Sequence, residues 1–97
     1  MIKDMDFGEA ITRLCGGGCV TRSGWNGKGM WLELQVPDEH SKMTQPYLVL
    51  CSGDNIWVGG VVLSRVPWVP SQTDILAQDW RVARTVHSPS EENHGLA

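Results

Sequence analysis

Apolar and polar positions along this chain of 97 residues change period several times, and each change falls at a breaker. Phe7, Ala10, Ile11 and Leu14 fall at i, i+3, i+4 and i+7, one apolar stripe of a helix. Asp6 followed by Glu9 has the form of a capping box with Asp at the N-cap, and Gly16-Gly17-Gly18 supplies the stop. The spacing predicts a helix over 7–15. Cys19-Val20-Thr21-Arg22 reads as a strand, and Ser23 to Gly29 as a glycine-punctuated loop. Met30, Leu32, Leu34 and Val36 then alternate with Trp31, Glu33 and Gln35, the period of two of a half-buried strand.

Pro37 to Pro46 is polar and flanked by breakers, which suits a mobile loop. Tyr47-Leu48-Val49-Leu50-Cys51 reads as a buried strand, Ser52-Gly53-Asp54-Asn55 as a turn, and Ile56-Trp57-Val58 as the start of a return strand. Gly59-Gly60 suggests a bulge or bend before Val61-Val62-Leu63. Ser71 with Asp74 repeats the capping pattern and predicts a short helix over 72–78 with Ile75 and Leu76 facing inward. Trp80 to Val86 alternates as a last strand, with Trp80 in the core. From His87 on, the chain is polar and reads as a flexible tail. The expectation is one α+β domain over residues 1–86: a small, mostly antiparallel sheet, an N-terminal helix, and a second short helix before the last strand.

Composition narrows the function classes. The net charge of −3 argues against a general nucleic-acid binder, which would show a basic face. No apolar run approaches the roughly 20 residues of a membrane span. Met1 to Asp6 lacks the apolar core and cleavage site of a signal peptide, so a cytoplasmic location is expected. Three cysteines, Cys15, Cys19 and Cys51, without a C-x-x-C spacing, suggest buried thiols rather than a disulfide framework or a zinc site. Five tryptophans stand against one Phe and one Tyr. With Trp31 on the second face of its strand, the apolar surface exceeds what one small core can cover, so self-association is expected.

Two stretches carry the candidate chemistry. In Gly24-Trp25-Asn26-Gly27-Lys28-Gly29-Met30 the glycines allow close approach of backbone to a ligand. Trp25 offers a stacking face and Asn26 a donor and an acceptor. Arg22 and Lys28 offer positive charge for a phosphate, and the Gly27 backbone and Met30 would shape a pocket wall. The alternative is a turn in which Trp25 plugs the core and Asn26 closes its own loop. In Trp68-Val69-Pro70-Ser71-Gln72-Thr73-Asp74-Ile75-Leu76-Ala77-Gln78-Asp79-Trp80, Trp68 stands before a helix N-terminus whose free N–H groups suit an anion. Ser71, Asp74 and Asp79 could accept bonds from ribose hydroxyls or a purine amino group, while Pro70, Ile75 and Trp80 have a purely structural account.

Catalysis lacks parts. His40, His87 and His94 lie in a loop or the tail, and no spacing suggests a metal. Asp74 and Asp79, at i and i+5, would point to different faces of a helix. A non-enzyme without catalytic residues, metal or cofactor is the expectation.

At these motifs the sequence resembles the Thoeris anti-defence protein two family of small phage and prophage proteins. The resemblance rests on Asp6-Phe7-Gly8-Glu9-Ala10, Gly24 to Met30, Leu34-Gln35-Val36-Pro37 and Trp68 to Trp80, and covers residues 6–82. It implies a homo-oligomer, typically a tetramer, in the cytoplasm of an infected cell. The partner implied is a cyclic nucleotide-derived immune messenger: a cyclic ADP-ribose isomer made by TIR-domain proteins, with a glycosidic link between its riboses. Some relatives also hold cyclic dinucleotides at a separate site. The rival reading from the residues alone is a structural or protein-interaction oligomer with core tryptophans and no small-molecule ligand.

Overall fold

The computed structural model describes residues 4–25, 29–54 and 61–83. Helix α1 (Phe7–Cys15) opens as its sequence dictates: the Asp6 side chain accepts from the Glu9 N–H at 2.8 Å, and Glu9 Oε1 accepts from the Asp6 N–H at 3.1 Å. Strands β1 (Val20–Arg22), β2 (Met30–Gln35), β3 (Tyr47–Asp54), β4 (Val61–Pro67) and β5 (Trp80–Val82) form one sheet in the order β4-β3-β2-β1-β5, every neighbour antiparallel. Helix α2 (Gln72–Leu76) precedes β5, which gives the expected α+β class.

α1 and α2 lie over one face of this sheet. Met5, Ala10, Leu14, Val20, Leu32 and Trp80 are buried there, joined by half-buried Phe7, Trp25, Leu50, Trp68 and Ala77. The opposite face has its own small core of Trp31, Val49, Cys51 and Ala83. Trp31 is 0% exposed, with its Nε1 donating to Glu33 Oε2 at 2.8 Å. The alternation placed Trp31 correctly on the second face, but that face is packed within the chain, so Trp31 gives no reason for self-association. Burial pushes the Cys51 thiol up to about 12, with the nearby Glu33 charge adding to it. Cys51 is thus the inert buried thiol expected, whereas Cys15 is exposed at the end of α1; all three cysteines are free.

Three expectations need correction. Ser52, Gly53 and Asp54 belong to β3 rather than to a turn. Gly53 serves a close approach: its N–H donates to the Gly29 carbonyl at 3.0 Å, and a Cβ on Gly29, which sits at φ +71°, would stand 2.5 Å from the Gly53 oxygen. The register with β4 also shifts between Ser52 and Gly53, an irregularity within the paired strands that the sequence did not announce. Ile56 to Val58 and Gly59-Gly60 lie outside the described residues, as does everything after Ala83, the expected tail 87–97 included. α2 ends at Leu76, not at 78, because Ala77 turns extended at ψ 148°. In so short a helix Ile75 and Leu76 stay 42% and 74% exposed, and Ala77 makes the inward contact instead. The loop between β2 and β3 carries a local turn, with the Asp38 carboxylate accepting from the His40 N–H and the Ser41 hydroxyl.

Candidate functional site

Sheet pairing brings the two motifs together. Arg22, the last residue of β1, is opposite Trp80, the first residue of β5. The segment that follows β1 therefore leaves the sheet beside the one that leads into β5. The Ser23 N–H donates to the Asp79 carbonyl at 3.1 Å, and Ser23–Trp25 forms a single 3-10 turn.

At this junction one guanidinium joins two carboxylates. Arg22 Nε donates to Asp79 Oδ1 and Arg22 Nη1 to Asp74 Oδ1, each at 2.8 Å. Asp79 Oδ2 also accepts from the Gly24 N–H at 2.8 Å and the Ser23 hydroxyl at 3.2 Å. On the far side, Asp74 Oδ2 accepts from the Ser71 N–H at 3.1 Å and its hydroxyl at 2.9 Å, while Ser71 Oγ accepts from the Asp74 N–H. The side chains of Arg22 and Asp74 are each 14% exposed and that of Asp79 27%. A continuous polar chain thus runs from Ser71 through Asp74, Arg22 and Asp79 to Gly24.

This arrangement corrects two expectations. Asp74 and Asp79 do not point apart, because α2 stops at Leu76 and the chain swings Asp79 back onto the same cation. Arg22 is not a spare charge for phosphate, because its guanidinium is paired with two carboxylates. At the start of α2, Ser71 and Asp74 cap the helix reciprocally, as their spacing predicts, and Asp74 brings negative charge to it.

Electrostatics follow the geometry. The Arg22 hydrogen bond, helped by the Gly24 N–H and opposed by burial, holds the Asp79 carboxyl below its ordinary 3.8. Burial pushes Asp74 upward, but the Ser71 N–H and Arg22 together outweigh it and leave the group lowered. Arg22 is raised, first by its bond to Asp79. A carboxyl depressed in the folded state stabilises the fold above its unfolded value, and that contribution goes as pH falls through the folded one. Tryptophan fluorescence of the free protein should therefore be flat from pH 8 to about 5 and change below about pH 4. A transition between pH 5 and 7 would contradict these protonation states.

Against this chain stands a wall of aromatic rings. Trp80 lies at its centre, fully buried, with the rings of Trp25 at 5.4 Å, Phe7 at 5.5 Å and Trp68 at 6.1 Å. Trp25 meets both Trp80 and Trp68 edge-on, the latter at 6.4 Å. Trp25 and Trp68, the two stacking candidates, are thus neighbours and half-buried in the main core. Met30 is half-buried at the start of β2, its carbonyl accepting from the Thr21 hydroxyl at 2.6 Å. Asn26, Gly27 and Lys28 lie outside the described residues.

Arg22 as a clamp and Phe7 as a member of the constellation were not legible beforehand, and Asp79, singled out as a ligand acceptor, is instead engaged by Arg22 and Gly24. The signal that would have found them is the pairing of Arg22 with Trp80, which no local pattern encodes.

A family model for the Thoeris anti-defense 2-like domain matches residues 5–83. The chain belongs to this family. The match takes in every described element from α1 to β5 and both tryptophan motifs. Thoeris anti-defense 2 of Bacillus phage SP01 is 38% identical over 91 residues, which cover 84% of this chain and 98% of that protein. Membership in the Thoeris anti-defense 2-like family supports a phage anti-defence role. No described helix is long and apolar enough to cross a membrane.

Proposed function

We propose that the protein is a sponge: it binds a cyclic ADP-ribose isomer with a glycosidic link between its riboses and holds it unchanged, so that the host effector is not activated. The same chemistry extends to cyclic dinucleotides. The observation that carries this reading is the meeting of Trp25 and Trp68 at the Ser23–Trp25 turn, within a chain of the anti-defense family. Half-buried indoles leave area for a purine, and base–aromatic stacking contributes about 1–3 kcal/mol per base. It works in the cytoplasm of the infected cell as a homo-oligomer, a tetramer in the fullest form. Support for association comes from Leu63 and Val66 on edge strand β4, 69% and 47% exposed, and from Val69 and Leu76 around α2, 86% and 74% exposed. Light scattering should show a mass well above 10.7 kDa at micromolar concentration, and a single species at that mass would refute association.

One observation favours the rival reading, a structural or interaction module: Trp25 and Trp68 pack edge-on into the core, as purely structural rings would. A thermal-shift panel of cyclic nucleotides separates the two. A ligand at 100 times its Kd stabilises by about 2.7 kcal/mol, which for a domain of this size raises Tm by roughly 10 °C or more. The sponge reading requires such a rise with at least one cyclic ADP-ribose isomer or cyclic dinucleotide. Indifference to all of them leaves the structural module.

A further inference from the structure

We infer that Asp79 is the positioning residue of the site: its carboxylate fixes the Ser23–Trp25 turn, and with it the ring of Trp25, in the place where a ligand would meet it. The inference rests on the sponge reading for its ligand, though not for its geometry. Among the described residues, the hydrogen bonds that tie this turn to the distant chain all end on Asp79. They come from the Ser23 N–H to its carbonyl, and from the Ser23 hydroxyl and the Gly24 N–H to Oδ2. Arg22 holds the other carboxylate oxygen at 2.8 Å and is itself anchored by Asp74, so the acceptor cannot swing away.

Gly24 completes the device. A Cβ there would lie 2.9 Å from Asp79 Oδ2 and 3.0 Å from Arg22 Nη2. Neither atom is the loose end of a free side chain, since each is held from its other side. The seat of the Asp79 carboxylate therefore requires the glycine of the Gly24-Trp25 pair. Displacing that carboxylate, from either partner, frees Trp25 to leave the rings of Trp68 and Trp80. A ligand that then binds must first reorder the turn, and its affinity falls by the fraction of molecules already in order.

The test compares Asp79→Ala, Asp79→Asn and Gly24→Ala with the parent, all at 10 °C. The readouts are affinity for the cyclic ADP-ribose isomer by calorimetry and the near-ultraviolet circular dichroism of the free protein. Asp79→Ala should lose at least about tenfold in affinity and weaken the tryptophan bands, and Gly24→Ala should do the same. Asp79→Asn, which keeps one acceptor oxygen, should fall between. Because both changes break one device, the double variant Asp79→Asn, Gly24→Ala should be no weaker than the worse single variant. Asp4→Asn, which removes the charge of the exposed carboxylate that Arg81 meets at 2.8 Å, should bind like the parent. A purely structural Asp79 would lower the melting temperature and leave affinity and near-ultraviolet bands of the folded protein unchanged, and that result overturns the inference. If Asp79→Ala does not fold, the Asn and Gly24 variants decide it. If the parent binds no cyclic nucleotide, the sponge reading fails, and the near-ultraviolet bands still decide whether Asp79 positions Trp25.

Discussion

Trp80→Ala is expected to leave little folded protein. The side chain is 0% exposed and touches three other aromatic rings, and its Nε1 donates to the Asp74 carbonyl within α2 at 3.0 Å. Its backbone joins Met5 on one side and pairs with Arg22 on the other, so it ties the segment before α1 to the sheet. Truncating a buried tryptophan costs about 3–5 kcal/mol, and a domain of this size has about 5–15 kcal/mol in all. Trp80→Phe should keep part of the ring contact and cost less. Urea denaturation checks this. A loss below about 1 kcal/mol for Trp80→Ala would mean that the aromatic wall is not the centre of the fold.

Trp25→Ala should have two separable effects. Half-buried against Trp68 and Trp80, the ring contributes to the core, and its loss should cost about 2 kcal/mol, less than at the fully buried Trp80. On the sponge reading its free face also stacks on the ligand, so affinity of the remaining folded protein should fall at least about tenfold. Calorimetry under conditions where the variant is fully folded separates the two. Unchanged affinity in a folded, destabilised variant would make Trp25 a core ring alone.

How far the sequence carried depended on whether the determinants were local. α1 was fully legible because its cap, its apolar stripe and its glycine stop all lie within a dozen residues and agree. The alternation of β2 was legible too, down to the opposite facing of Leu32 and Trp31. What alternation could not show was that a second small core on that face would cover Trp31 completely. Ser52-Gly53 reads as a turn because glycine after serine usually marks one. Its actual use, an approach to Gly29 within a bulged strand, depends on a residue 24 positions away. The cap of α2 was visible in Ser71 and Asp74, but its early end was not.

The candidate site divides the same way. Both motifs stand out as tryptophans among turn residues, and that was enough to single out Trp25, Trp68, Ser71 and Asp74. Their adjacency is a product of the β1–β5 pairing. So is the fate of Arg22, which looks like a phosphate ligand until its partners 52 and 57 residues further on are known. Charge beside a glycine loop is ambiguous in any sequence. Only the pairing of the flanking strands decides whether it faces a ligand or closes the protein on itself.

The central claim, capture without chemistry, is tested most directly by recovery of the ligand. The protein is mixed with an equimolar amount of the cyclic ADP-ribose isomer, left for hours, filtered to remove free ligand, and then heat-denatured. The released compound is compared with the input by chromatography and mass. A sponge should deplete the filtrate and return the cyclic compound intact, since retention by such a protein rests on slow release. A linear or hydrolysed product in excess of a no-protein control would make the protein an enzyme. Undiminished ligand in the filtrate would show that it does not capture this messenger.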